Sequence, residues 1–338
     1  MGLLETLGFK GKAQVTAQYA PAIMDSTYGA GMYSYNSGLS NYGYGVSVDR
    51  NMALQVPSVS RCRNLIAGVI SSIELGLYKK STGVKMESPL WLDQFDMRQP
   101  RSVTVAYLVD SLLFYGVGYL KVCSVYQDDL RPSGFEWVAN TRVTVTTDET
   151  GETVQYYSIN GVRAPMAGIG SLVTFQSLLP GVLETGARTI QAALDLEKAA
   201  SVAASTPMAT GFIKNSGADL PEAQISGLLA AWKAARASRS TAYLTSTLDY
   251  QTVGFSPKDM MYNEASQYLA TQIARLMNVP AYYISADMNN SMTYANVQDE
   301  RRQFVSLSLA PFLHAIEGRL SMNDITASTN IVKFDVED

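Results

Sequence analysis

Few residues in this 338-residue chain have the type and spacing that catalysis requires. His314 is the single histidine, set among Phe312, Leu313 and Ile316. A triad or a metal site would need a partner constellation, and no G-x-S-x-G, H-E-x-x-H, P-loop or C-x-x-C occurs. His314 is therefore expected to pack, or to hydrogen-bond, in a helix interface. Cys62 falls on an apolar helical face and reads as a small buried hydrophobe. With Cys123 it forms no metal-ligand spacing, and two cysteines imply no disulfide scaffold, so a reducing compartment is the simpler reading. Asp299 and Glu300 are adjacent, and neighbours on a helix point in different directions, which makes a poor catalytic pair. Together with Arg301 and Arg302 they read as solvated or inter-subunit charges. Gly116 and Gly118 lack the third glycine and the following helix of a dinucleotide site, so they read as a turn. This inventory argues against an enzyme, and it supports no cofactor and no metal.

Two other groups are better suited to touching a partner. One is a polar loop, Asn289, Asn290, Ser291, Met292 and Thr293. The other is Trp232 with the basic residues Lys233, Arg236 and Arg239 at the end of a helix. Positive charge there compensates the helix dipole, or it forms a docking site. The loop is held by two helices. In the first, Ser256 suits the N-cap and Pro257 the first turn. Ala265, Leu269, Ile273, Leu276 and Met277 line one face, and Asn278 and Pro280 stop it. The second helix carries Val297, Phe304, Val305, Leu309, Phe312, Leu313, Ile316 and Leu320. Pro311 interrupts it, removing a backbone hydrogen bond and predicting a kink near Val305 to Pro311.

Composition bounds the rest. The net charge is −4 and 17% of residues are charged, below the usual quarter or so, so large subunit interfaces are expected. The basic footprint of a protein that grips nucleic acid tightly is missing. No apolar run approaches the roughly 18 residues of a membrane span, and the N-terminus lacks a signal-peptide core. No membrane association is expected, and the chain is read as made and used in a cytoplasm.

Along the chain, residues 19–45 alternate Tyr28, Tyr33, Tyr35, Tyr42 and Tyr44 with Gly, Ser and Asn. They read as a disordered tail or long loop, or as an arm that orders on a neighbouring subunit. Ala53–Ile73 and Val103–Phe114 read as helices, Glu74–Lys80 and Gly116–Gln127 as strands. Short strands fill 135–176, with DETGE and NG as hairpin signals, giving an α+β first half with a mostly antiparallel sheet. Gly181–Ser205 is an Ala-rich helix. Then come the strand GFIK, a capped helix after Pro221, and one or two further strands up to Phe255. A last strand around Val332, Phe334 and Val336 must return to the sheet of the first half.

This order of elements resembles HK97-type portal proteins of tailed bacteriophages. The resemblance rests on Ile273, Ala274, Asn278, Val279, Pro280, Asn290, Ser291, Asn296, Phe304, Leu309, Pro311, Ile316, Glu317 and Leu320. VPSVSRCRNLIAGVISSIELGLYKK and LLFYGVGYLKV are similar to the family's first helix-strand unit and to a later strand. Gly116-Val117-Gly118 departs from the family's usual GNay there. The resemblance implies a portal-type fold: an α+β wing, a two-helix stem, a small α/β clip and a long kinked helix. Its divisions would be a flexible arm at 1–50, the wing at 51–180, and stem helix 1 at 181–207. The clip would be 208–255, stem helix 2 256–280, a tunnel loop 281–295 and the kinked helix 296–322. Residues 323–338 would return a strand to the wing, with the family's helical crown absent or truncated.

The resemblance further implies a homo-oligomeric ring of about twelve subunits at one capsid vertex, residing in the virion and assembled in host cytoplasm. Double-stranded DNA would pass through it, and the terminase large subunit, a head–tail adaptor and the major capsid protein would be its partners. DNA carries about one negative charge per 1.7 Å, so a mildly acidic conduit would not stall it. Asn289, Asn290, Ser291 and Thr293 would touch phosphates without full charge, Met292 would be soft, and Pro311 would act as a hinge. Trp232, Lys233, Arg236 and Arg239 would dock the motor and the adaptor. The competing expectations are a shell or tail oligomer without a DNA channel, and a hydrolase with an unrecognised site.

Overall fold

In the computed structural model, residues 47–148, 153–205, 211–217, 219–237, 246–252, 262–284 and 302–336 are described. The Tyr-rich arm at 19–45 lies outside them. The first helical stretch is two helices, α1 (Arg50–Gln55) and α2 (Pro57–Ser72), where the sequence predicts one from Ala53 to Ile73. Proline disfavours helical geometry in the residue before it, and Val56 is accordingly extended. Asp49 caps α1, its carboxylate accepting from the Met52 N–H at 2.7 Å. Helix α2 buries Val59, Cys62, Ile66, Ala67 and Ile70, a stripe at spacings of mostly three and four.

Next come β1 (Leu75–Lys79), β2 (Lys85–Met86), a short α3 (Leu90–Asp93) and α4 (Arg101–Tyr115). Helix α4 packs on α2 and buries every residue from Leu108 to Phe114. It ends at Gly116, which is left-handed at φ 73° and turns the chain into β3 (Val117–Val125). One half of the Gly116/Gly118 pair is thus a helix stop. The other, Gly118, lies in β3 where a Cβ would come within 2.6 Å of Leu108 Cδ1.

The strands that follow are β4 (Pro132–Val138), β5 (Val143–Thr147), β6 (Val154–Ile159), β7 (Val162–Arg163) and β8 (Leu172–Gln176). The expected antiparallel sheet divides into smaller ones, β4-β3-β8 and β5-β6-β7. Asn160 and Gly161, both at positive φ, form the turn between β6 and β7, as the Asn-Gly pair predicts. Strand β3 is buried on both faces from Val117 to Leu120. Leu120 joins the core under α4, while Tyr119 faces Tyr157 of the second sheet with ring centroids 6.1 Å apart. Trp91, Phe95 and Phe135 form a mutual aromatic cluster, centroids 5.7–6.1 Å apart, within that core.

The predicted helix at Gly181–Ser205 is broken into α5 (Val182–Thr185) and α6 (Ala187–Ser205). Gly186 lies between them because a Cβ there would come within 2.1 Å of Leu276 Cδ2, on the helix packed against α6. Strand β9 (Gly211–Asn215), α7 (Glu222–Ala237) and β10 (Leu248–Thr252) form the small insert, with β9 and β10 antiparallel. Helix α8 (Tyr262–Leu276) then runs back along α6. The expected N-cap Ser256 lies outside the described residues. Among the described residues of this helix pair, burial is confined to one end, at Ile190, Ala193, Ile273, Ala274 and Met277.

After residue 302 the chain forms a π-helical segment, Phe304–Leu309, and then α9 (Ala310–Leu320). Strand β11 (Asn330–Phe334) pairs antiparallel with β1, Leu75 opposite Phe334, so the last strand returns to the first half as predicted. It does so in a third small sheet, β11-β1-β2. Glu317 of α9 accepts the Phe334 N–H at 2.8 Å and ties the two elements.

One contiguous core links α1, α2, α4, the β3 sheet, the inner ends of α6 and α8, and α9. A charge is sealed within it. Asp110 of α4 is bonded by Arg50 (2.6 and 3.1 Å) and Arg63 (2.6 Å), and its side chain is only 4% exposed. Two guanidiniums on α1 and α2 thereby hold three helices at one point.

Candidate channel and docking site

Where α8 ends, the chain forms a Schellman turn. Val279 N–H donates to the Ala274 carbonyl at 2.8 Å and Asn278 N–H to that of Arg275 at 3.2 Å. Asn278 itself is left-handed at φ 53°, the conformation this position demands. Pro280 then starts a 3₁₀ turn, Ala281–Ile284. Tyr283 in that turn packs on Phe304 of the π segment, centroids 5.0 Å apart, and on Tyr282 at 4.5 Å. Arg61 Nε of α2 donates to the Tyr283 carbonyl at 3.4 Å. The chain leaves this place at Ile284 and comes back to it at Arg302. The two roots of residues 285–301 are thus pinned side by side. Asn289, Asn290, Ser291, Met292 and Thr293 lie between them, outside the described residues.

Where the sequence predicts a kink, the structure has a change of helical geometry. Pro311 sits in the first turn of α9 and has no N–H for the carbonyl four residues back, that of Leu307. The helix before it widens to π geometry, with Ala310 N–H bonded to the Val305 carbonyl five residues back. Asn278 Nδ2 donates to the Leu307 carbonyl at 2.8 Å. Sequence reasoning found Asn278 as a helix stop and Pro311 as a kink, and it missed that one side chain joins them.

In the insert, Trp232 is half-buried and leans on Tyr250 with ring centroids 5.0 Å apart. With Lys233 it lines a cavity of about 620 Å³ whose floor includes Ile213, Leu220, Leu228 and Leu248. Lys233 is exposed on α7. Arg236 is on the same helix, but its side chain, like all of Arg239, is outside what is described. The structure therefore joins Trp232 and Lys233 at one cavity.

The residues suspected of chemistry have structural roles. His314 is exposed and bonded to Glu317 at 3.2 Å on its own helix, in contrast to the expected interface packing. The reason is its place in the helical period, between the buried Leu313 and Ile316 but off their face. Burial pushes the Cys62 thiol up to about 12, so it carries no thiolate. Burial, and then Glu136, also raise Cys123. Arg98 holds the nearby Asp96 carboxyl below its usual range. Among the described residues, no group of three or more His, Cys, Asp or Glu could hold a metal ion. Among them, too, no helix is long and apolar enough to cross a membrane.

The structure thus combines an α+β body, called the wing below, with a packed helix pair, a small α/β insert and a π-interrupted helix. Residues 57–338 match the family described as phage portal protein, and the chain belongs to that family. A probable portal protein of Streptomyces phage phiC31 is 24% identical, over 87% of this chain and 70% of its own length. The crystal structure of an HK97 family phage portal protein from Corynebacterium diphtheriae superposes with a TM-score of 0.69 at 24% identity. It covers 86% of this chain and 95% of that one. The neck of a native gene transfer agent particle, computed with C12 symmetry, gives a TM-score of 0.57 at 21% identity, covering 89% and 88%. The fold is therefore that of an HK97 family portal protein. The general function of portal proteins is to form the DNA channel of the particle, at its head–tail connection.

Proposed function

We propose that this chain assembles into a ring of about twelve copies at one capsid vertex, with double-stranded DNA passing through its axis. The observation that carries this is the path of the chain. It leaves the wing along α6, builds the insert, returns along α8 packed against α6, and only then emits residues 285–301. In a closed ring that arrangement repeats one polar segment per subunit around a common axis. The net charge of −4 per chain, multiplied around the ring, gives a wall that DNA does not grip. Asn289, Asn290, Ser291, Met292 and Thr293 are the residues that meet DNA, and Pro311 is the hinge behind them. The role is structural and not enzymatic, in the virion and, during assembly, in host cytoplasm beside the major capsid protein.

Negative-stain images of the purified protein test the ring. Closed rings with an axial channel are expected, and sheets, tubes or a stable monomer would overturn the reading. The insert is the docking platform for the terminase large subunit and later the head–tail adaptor. Trp232, Lys233, Arg236 and Arg239 carry the contact. With Arg236→Glu and Arg239→Glu together, rings should form normally while capture of the adaptor falls at least tenfold. Undiminished capture would remove these residues from the interface.

A further inference from the structure

The link between the end of α8 and the π segment has a role that neither helix alone requires. A helix that ends in a Schellman turn takes glycine most often at its left-handed position, because glycine has no Cβ to strain. Here the position holds Asn278 at φ 53°. The side chain is exposed, so it is not there for packing. What glycine could not supply is the amide, which reaches 29 residues along the chain to the Leu307 carbonyl at 2.8 Å. That carbonyl is the one Pro311 leaves without its usual backbone donor.

The register of the segment hangs on the same bond. With π geometry, Phe304 lies one wide turn before Leu309. Both are buried, and Phe304 meets Tyr283. If the segment tightened to an ordinary α-helix, the chain before Leu309 would rotate by about 100°, one residue's worth of helical turn. Phe304 would leave Tyr283, and Val305, now half-buried, would turn into the place that Phe304 holds.

We propose that Asn278 is a positioning residue: its amide substitutes for the N–H that Pro311 lacks and locks Phe304–Leu309 in the π register. The Asn278–Pro311 pair thereby couples the end of α8 to the root at which the chain re-enters the wing. This goes beyond the channel reading and holds whether or not residues 285–301 reach DNA.

The test is hydrogen–deuterium exchange of the full-length protein, read by mass spectrometry on peptides from α8 and from residues 302–312. Asn278→Gly keeps the left-handed turn and removes only the amide. It should speed exchange across 302–312 roughly fivefold, the worth of one hydrogen bond, and leave α8 unchanged. Asn278→Asp, which keeps the shape but cannot donate, should do the same. Pro311→Ala restores a backbone donor for the Leu307 carbonyl, so adding Asn278→Gly to it should have no further effect. The proposal fails if Asn278→Gly leaves 302–312 unchanged. It also fails if α8 loosens equally, or if the double variant is as fast as the sum of the two. Should Asn278→Gly alone not fold, the double variant is expected to fold, and its failure would equally overturn the idea. Ring formation by the same proteins, followed separately, keeps this outcome distinct from the fate of the portal reading.

Discussion

The wing and the insert are built from the same kinds of element and bury them to different degrees. Each of α1, α2 and α4 in the wing has fully buried residues, and β3 is covered on two sides. In the insert, α7 lies over the two-stranded β9–β10 sheet, yet none of its described residues is buried. Ile225 and Leu229 are 43% and 46% exposed, and Trp232 has Tyr250 as its ring partner. A two-stranded sheet is marginal without further cover. The wing's stability is therefore written within one chain. The described residues of the insert leave apolar surface exposed.

Two truncations of aromatic residues test this contrast with the largest expected effect. Phe135→Ala removes the centre of the Trp91–Phe95–Phe135 cluster and should cost about 3–5 kcal/mol in denaturant unfolding of the wing. Trp232→Ala should shift the same transition by less than about 1 kcal/mol, while reducing adaptor capture. Comparable shifts would mean that the insert and the wing unfold as one unit, and the contrast would break.

A polar substitution sharpens it from inside the wing. Asp110→Asn keeps the volume of the side chain and removes the charge that Arg50 and Arg63 face. Breaking a buried ion pair costs up to about 3–5 kcal/mol. Both arginines are 20–30% exposed and can recruit water, so about 2–3 kcal/mol is the expected loss here. The midpoint of chemical denaturation reads it, and an unchanged midpoint would show that the three-helix junction does not depend on this charge.

The legible part of the fold follows the same division. Helix α2 was readable because it buries one periodic face, and α4 and β3, buried all round for much of their length, were readable as apolar runs of helix and strand length. The return of β11 to β1 was readable as a strand left without a partner at the end of the chain. What periodicity does not carry is where a helix breaks for a tertiary reason. Gly186 stands at the break in a good helical stretch, where a Cβ would come within 2.1 Å of Leu276, a residue 90 positions away. Nor does it carry long-range polar pairing. Arg63 reads as a member of a helical stripe, and only the fold reveals Asp110 as its partner. At the candidate site, Pro311 and the helix stop at Asn278 were visible one by one, as local rules about proline and left-handed residues. Their hydrogen bond spans 29 positions, and a local rule cannot reach that far. The resemblance of 256–320 to portal proteins supplied the functional reading that composition and the lack of catalytic motifs left open.

The smallest effect expected is a pH dependence confined to the wing. Asp96 is buried at the end of the aromatic cluster and accepts from Arg98 through its side chain (3.0 and 3.1 Å) and its backbone N–H (2.9 Å). These bonds favour the charged form and lower its pKa from the ordinary 3.8. A carboxylate lowered on folding releases its proton more readily in the folded state. Its contribution is therefore fully present above the unfolded value, and is lost as pH falls through the lower folded value. Arg98 is 66% exposed, so the contribution is screened and small. Asp96→Asn should accordingly destabilise the wing at neutral pH and flatten the loss of stability below about pH 4. The three tryptophans separate the regions, since Trp91 and Trp137 are in the wing and Trp232 is in the insert. Acid titration with single-tryptophan reporters should show the Asp96-dependent step in the wing signals and not in that of Trp232. Its appearance in the Trp232 signal would mean that acid loosens both regions together, and that the insert leans on the wing for more of its order than its exposed apolar residues suggest.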